Sequence, residues 1–208
     1  MQPDISRIIL LTGEIEASIL SQILCGYNPK LEISVASTRA ALQEIAPPEP
    51  GTRLLSFCTP VIVPGAFLTQ LPGPGYNFHP GPPERPGRYP SVFALYDDAK
   101  QFGVTIHEML ASVDSGPIVA AAWFDIPRKC DLQKLEETTR LHLVSQFHQL
   151  APHLAVNADP LPRLPIAWRG RKTSKADCDA LCAVTPDMDP VEAERRRRAC
   201  GGHMLHRD

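Results

Sequence analysis

The sequence predicts an α/β fold of Rossmann-like build: a mostly parallel sheet, helices on both faces and a short C-terminal appendage. Three observations predict it. Short apolar runs alternate with helically periodic segments in the order β-α-β-α-β up to residue 58. The connections between them are short, as crossovers that cover both faces of a parallel sheet require. A chain of 208 residues suits one such domain with a tail.

The elements follow in order. Residues 5–12 (ISRIILLT) are an apolar run of strand length, and the next stretch, GEIEASILSQILCG, places Ile15, Ile19 and Ile23, with Leu20 and Leu24, at helical spacing before Gly26 as a stop. LEISVAS alternates apolar and polar residues, and TRAALQEI follows as a helix with Thr38 as N-cap. A third strand is expected at 53–58, then mostly loop over 59–90, where many of the 22 prolines fall. Inside that loop GYNFH, 75–79, is short, partly aromatic and bounded by Gly and Pro, the pattern of a strand delivering side chains to a site. SVFALYDDA reads as a helix, GVTIHEML and PIVAAAWFDI as strands. Residues 131–154 form the clearest amphipathic helix, with Asp131 as N-cap and Leu132, Leu135, Leu141, Leu143, Val144, Phe147 and Leu150 on one stripe. Domain limits of 1–155 and 156–208 follow, the second a Pro-rich, then basic extension.

Composition narrows the function. Net charge is -2 and pI about 6.4, which supplies no basic field for nucleic acid. No apolar run is long enough to span a membrane. The N-terminal residues lack the basic start and long apolar stretch of a signal peptide, so a cytoplasmic location is expected. Cys25, Cys58, Cys130, Cys178, Cys182 and Cys200 are scattered, which reads as reduced thiols rather than a disulfide framework, with Cys58 in core packing. The first βα turn, LTGEIEAS, lacks G-x-G-x-x-G, so a dinucleotide site of the usual kind is not expected.

The densest chemistry lies in Asn77-Phe78-His79-Pro80-Gly81 and in Asp114-Ser115-Gly116-Pro117. On an extended segment Asn77 and His79 share a face, because side-chain direction repeats every second residue. An amide donor and an imidazole, joined by a carboxylate that orients the imidazole, suit acyl transfer to an amine. The donors hold the oxygen as charge develops, and the imidazole moves a proton near neutrality. His107, on the strand of G-V-T-x-H, reads from its parity as a buried, hydrogen-bonded structural residue.

GYNFHPGPPERPG followed by GVTIHEMLASVDSGPIV, with SFCTPVIVP upstream, resembles the signature of the N10-formyltetrahydrofolate-dependent formyltransferases, well over about residues 53–127. The resemblance implies a Rossmann-like formyltransferase fold and N10-formyltetrahydrofolate as formyl donor. It puts the family's catalytic residues on Asn77, His79 and Asp114, and its pterin-lining segments on Val61, Ile62 and Val63 and on Leu110 to Val113. It implies a small-molecule amine acceptor such as an amino sugar nucleotide, with a homodimer among the assemblies open to it. Hydrolysis of the same donor, or folate binding without turnover, are the alternatives. The GPPE loop differs from the Ser-Leu-Leu-Pro stretch of many relatives. A glycine-rich phosphate loop near the start and a C-terminal β-barrel are missing, which disfavours the purine-pathway and tRNA substrates.

The tail holds two further patterns. Arg195–Arg198 read as a solvated helix with Glu192–Arg196 and Glu194–Arg198 pairs, begun by Asp189-Pro190, in preference to an acceptor-phosphate site. Cys178, Cys182, Cys200, His203 and His206 include zinc-competent ligands at a non-standard spacing, so no metal is expected.

Overall fold

Four parallel strands form the frame of the sheet, and the strand that follows them turns back. The computed structural model describes residues 4–201. Its elements are β1 Arg7–Leu11, α1 Glu14–Tyr27, β2 Glu32–Ala36, α2 Arg39–Glu44, β3 Thr52–Phe57, α3 Gly65–Leu68, β4 Tyr76–His79, α4 Pro90–Tyr96, β5 Gln101–Glu108, β6 Ile118–Asp125, α5 Leu132–Val156, α6 Lys175–Cys182 and α7 Pro190–Cys200. The strand order is β2-β1-β3-β4-β5-β6. β1 pairs in parallel with β2 and β3, and β3 with β4. Met109 N donates to Gly75 O at 2.8 Å, just past β5 and just before β4, so β5 runs against β4. Glu108 N donates to Pro117 O and Ile126 N to Lys100 O, closing β5 and β6 as a hairpin. Only β5 opposes the other strands, which makes the sheet mostly parallel.

The chain divides into two compact units. The first holds the described residues up to His79 with Ile106–Ala120 and Leu143–Ala167; the second holds Pro80–Thr105, Ala121–His142 and the described residues from Trp168 on.

In the first unit the register separates two faces. Ile9, Leu11 and Leu54 pack with Leu42 of α2 and with Phe67 and Leu68 of α3. Phe57 and Phe78 point the other way and meet Phe147 of α5, with ring centroids 5.1 to 6.1 Å apart. Each of those rings is fully buried, contributing about 1.5–3 kcal/mol by removal from water. Leu11 lies beside Ser56, and Ser56 beside Asn77, so Asn77 and His79 belong to the α2 and α3 side.

Two helices differ from their expected faces. α1 buries Ala17, Leu20 and Leu24, while Ile15 and Ile19 are 76% and 47% exposed. Its apolar residues form two i,i+4 ridges about 100° apart, and only one can face the sheet. Gly26 does not stop α1, which runs through it to Tyr27. Asn28 ends the helix, its amide donating to Ile5 O and Ala155 O. On α5, Leu141 is 71% exposed, and the stripe passes instead through buried Thr139, whose hydroxyl donates back to Leu135 O at 2.7 Å. Asp131 caps α5 and Thr38 caps α2 as expected. Arg53, 3% exposed on β3, donates to the carbonyls of His153, Leu154, Ala158 and Asp159 around the end of α5.

The tail of the second unit also departs from expectation. Glu192 and Arg196 pair at 2.7 Å, but Glu194 pairs with Arg197 rather than Arg198. α7 is not solvated all round: Arg195 donates to Tyr96 O and lies over the Tyr96 ring, and Arg198 reaches Leu95 O and Asp98. Those arginines are spent on α4. Cys182 and Cys200 form a disulfide, which corrects the reading of six reduced thiols: α6 and α7 bring two buried cysteines 18 positions apart to a Cα separation of 5.6 Å. Cys58 is exposed rather than packed in the core, because the chain leaves β3 there with φ +47°. His203 and His206 lie outside the described residues. Among the described residues, no group of His, Cys, Asp and Glu is arranged to hold a metal.

Candidate active site

β4 ends in a four-residue strand whose alternate side chains divide between core and site. Tyr76 and Phe78 are buried without exposure, while Asn77 is half-buried and His79 sits 3% exposed at the strand's last position. The neighbouring antiparallel β5 places His107 opposite Asn77, with Asn77 Nδ2 3.1 Å from His107 Nε2. The loop from β5 to β6 returns Asp114, 5% exposed, to the same place. One carboxylate oxygen lies 3.5 Å from His79 Nδ1 and the other 3.3 Å from His107 Nε2. The sequence separates these four residues by as many as 37 positions (114 less 77), and the sheet collects them within hydrogen-bonding reach.

The loop's shape is dictated locally. Asp114 adopts φ +44°, a left-handed conformation that Asp tolerates better than most residues. Gly116 then passes so close to β5 that a Cβ would lie 1.9 Å from Glu108 O. No other residue fits there without moving the strand end.

Geometry assigns ring nitrogens. His107 Nδ1 lies 2.8 Å from Glu108 O, a carbonyl that only accepts, so Nδ1 carries a proton. In a neutral ring Nε2 then accepts from the Asn77 amide. His79 turns Nδ1 to Asp114, 3.5 Å away. The Asp114 distances are longer than an ideal hydrogen bond.

The apolar residues near the site fall into two groups. Val63 is 4% exposed and Val61 packs on the Ile9 and Leu11 cluster, so both serve the core. Ile62, Leu110 and Val113 are 59%, 51% and 39% exposed. A Cβ on Gly65 would lie 3.3 Å from Ala111 Cβ, so the 61–65 segment and the 110–113 loop run side by side. Exposed apolar side chains on two adjacent loops suit a flat heterocycle better than water.

Comparison with known proteins bears on the fold. No family model matches the chain, and no curated protein matches it. Solved structures do. A sugar N-formyltransferase from Shewanella sp. is similar over 94% of this chain and 87% of its own, with a TM-score of 0.74 at 16% identity. A 4-N formyltransferase from Francisella tularensis reaches 0.72 at 16% identity over 93% and 87%. An N-formyltransferase from Helicobacter canadensis, in complex with folinic acid and dTDP-3-aminofucose, reaches 0.69 at 14% identity over 94% and 80%.

The chain has the N-formyltransferase fold. In that fold the four clustered residues stand where β4, β5 and the following loop converge, in the first unit. His107 is the member that reading the sequence set aside as structural. It is buried and hydrogen-bonded, and it also touches both Asn77 and Asp114. Pairing 77 against 107 across antiparallel strands was the signal that could have found it. The formyltransferase fold here also holds a 640 Å³ cleft in the second unit, lined in part by Arg85, Phe93, Tyr96, Arg171 and Arg196. It shares no residue with the cluster. Its arginines are paired with Asp97, Asp177 and Glu192.

Proposed function

We propose that the chain transfers a formyl group from N10-formyltetrahydrofolate to a primary amine of a small molecule, with an amino sugar nucleotide as the favoured acceptor class. The observation that supports this reading is the meeting of His79 and His107 on one buried carboxylate, Asp114, with Asn77 held against His107. The folinic acid and dTDP-3-aminofucose bound by the Helicobacter canadensis enzyme support the choice of donor and acceptor classes. Exposed Ile62, Leu110 and Val113 fit the pterin of the donor, with Val61 and Val63 contributing backbone rather than side chain.

The donor supplies an activated formyl carbon on nitrogen. The acceptor amine attacks that carbon, the bond to N10 breaks, and one proton passes from the amine to N10. Asn77 and His79 hold the formyl oxygen as negative charge develops. Asp114 orients His79 through Nδ1, so that Nε2 faces the reacting atoms and can move the proton. His107, anchored on Glu108 O, holds the Asn77 amide in register. A small acceptor rather than a tRNA, and a cytoplasmic setting, belong to the same proposal; among the described residues no helix is long and apolar enough to cross a membrane.

The test is to incubate the protein with N10-formyltetrahydrofolate and a panel of amines, including amino sugar nucleotides, while following tetrahydrofolate release. Release that needs an amine, with formylated amine found by mass spectrometry, supports transfer. Release without amine would replace transfer by hydrolysis. Folate binding with neither would leave a binding module.

A further inference from the structure

The core of the second unit contains four of the six cysteines: Cys130, Cys178, Cys182 and Cys200, packed among Val92, Leu95 and Leu135. Cys182 closes α6, and its sulfur is bonded to Cys200 at the end of α7. Cys178 stands one turn earlier on α6, 3% exposed, with its sulfur 3.9 Å from that of Cys182. Since Cys182 has no hydrogen to give, the Cys178 thiol is the donor of that contact. A thiol thus lies against the shared sulfur of a disulfide, in a pocket closed to solvent. Thiol–disulfide exchange needs that approach.

We propose that Cys178, Cys182 and Cys200 form an internal thiol–disulfide exchange site. The Cys178 sulfur, as thiolate, attacks the Cys182 sulfur. The Cys178–Cys182 bond forms as the Cys182–Cys200 bond breaks, and Cys200 leaves as thiolate. The proton lost by Cys178 ends on Cys200, and no oxidant or reductant is consumed. The Cα spacing of an i,i+4 helical pair, about 6 Å, lies within the disulfide range of about 4.4–6.8 Å. Because Cys182 is the last residue of α6, its final turn can open to bring the Cβ atoms from about 5–6 Å apart to the spacing of about 3.5–4.5 Å that the bond needs.

Exchange changes what holds α7. In the observed state its end is tied covalently to α6. After exchange α7 keeps the bonds of Arg196 to Ala180 O and Ala183 O, with Arg195 and Arg198 on α4, while Cys200 is released. The groups facing Cys178 set its rate. Burial pushes the thiol up to about 11, Asp179 adds to this and Lys175 opposes it, with Tyr89 from the start of α4 packed on the same cluster. Exchange is therefore slow at neutral pH and speeds with the thiolate fraction.

The test uses the full chain without reductant. It is held between pH 7 and pH 10, quenched in acid, denatured, labelled with a maleimide and mapped by mass spectrometry. The label then reports which of the three cysteines carries the thiol. The label is expected to move from Cys178 to Cys200, with the approach rate rising about tenfold per pH unit, as a thiol titrating near 11 dictates. Cys178→Ala, and Cys178→Ser should alanine fail to fold, must keep the Cys182–Cys200 pair at every pH, with native circular dichroism. A label on Cys178 alone at all pH values and times would overturn the proposal. So would a chain that carries all three as thiols around a bound metal ion. The result is independent of the formyl-transfer reading.

Discussion

At the residue scale, Asp114 is the hub: its two oxygens face two different imidazoles. Asp114→Asn keeps the shape but removes the charge and offers only one acceptor. Turnover in the formyl-transfer assay is expected to fall about 10²–10⁴-fold, while folate binding measured by calorimetry stays within a few-fold. Retained turnover would remove Asp114 from the mechanism. His107→Asn should cost less, because in the proposed mechanism His107 acts on the reaction through Asn77. Gly116 is a different kind of residue, set by contact rather than chemistry. A Gly116→Ala chain must push β5 and the loop apart, since its Cβ would overlap Glu108 O. A loss of at least about 2 kcal/mol is expected in denaturant titration.

At the element scale, two ends show how side chains finish what the backbone leaves open. The C-terminal carbonyls of α5 are met by buried Arg53 from β3. Burial lowers the Arg53 pKa from its ordinary value, yet guanidinium keeps its charge throughout the working range. Arg53→Met should destabilise the first unit by about 2–4 kcal/mol in a urea melt, because several carbonyls lose a buried donor at once. The start of α6 is closed by a reciprocal Ser174–Asp177 pair. Hydrogen bonds from Ser174, then Arg171, hold the Asp177 carboxyl down at about 2 against an ordinary 3.8. A depressed carboxylate stabilises the fold above its ordinary pKa and loses that contribution as pH falls through the folded value. Stability should therefore drop between pH 3.8 and about 2, and Asp177→Asn should flatten that part of the acid titration.

These elements also mark what the chain announced in advance. Thr38, Asp131 and Asp189 were readable as caps because a cap is a local event within three residues. Asn77 and His79 were readable as one face because a strand alternates. The active ridge of α1 was not, since Ile15 and Leu20 carry equal hydrophobicity and only the sheet decides between them. The Asn77–His107 contact needed the direction of β5, a non-local fact. The burial of Arg53 depends on where α5 ends, about a hundred positions away. Cys182 and Cys200 were too far apart to pair by inspection, and α4, on which Arg195 and Arg198 are spent, lies nearly a hundred residues earlier.

At the scale of the whole molecule, the cluster of Asn77, His79, His107 and Asp114 lies in the first unit and the disulfide in the second. Closing a loop of 18 residues is worth about 3 kcal/mol by chain entropy. A thermal melt with and without reductant is expected to shift accordingly. Loss of α7 helicity should come ahead of the rest, since only non-covalent contacts, those of Arg195, Arg196 and Arg198 among them, then hold it. A reducing compartment would leave the three clustered sulfurs as thiols, so the melt in reductant also measures the stability relevant there.

The segment after α5 has no regular secondary structure, yet it is anchored at three points. Leu161 N donates to Tyr76 Oη at 2.8 Å, Leu164 N to Ile118 O at 2.7 Å, and Arg163 grips buried Glu108 with two bonds of 2.8 Å. Its backbone amides should therefore not behave like those of a loop. In deuterium exchange Leu161 and Leu164 are expected to be slow, at the pace of sheet amides, with Arg163 and Pro162 offering no such protection between them. A protease should leave this stretch intact in the native protein. In solvent-exchange terms it is one more strand, written without a ladder.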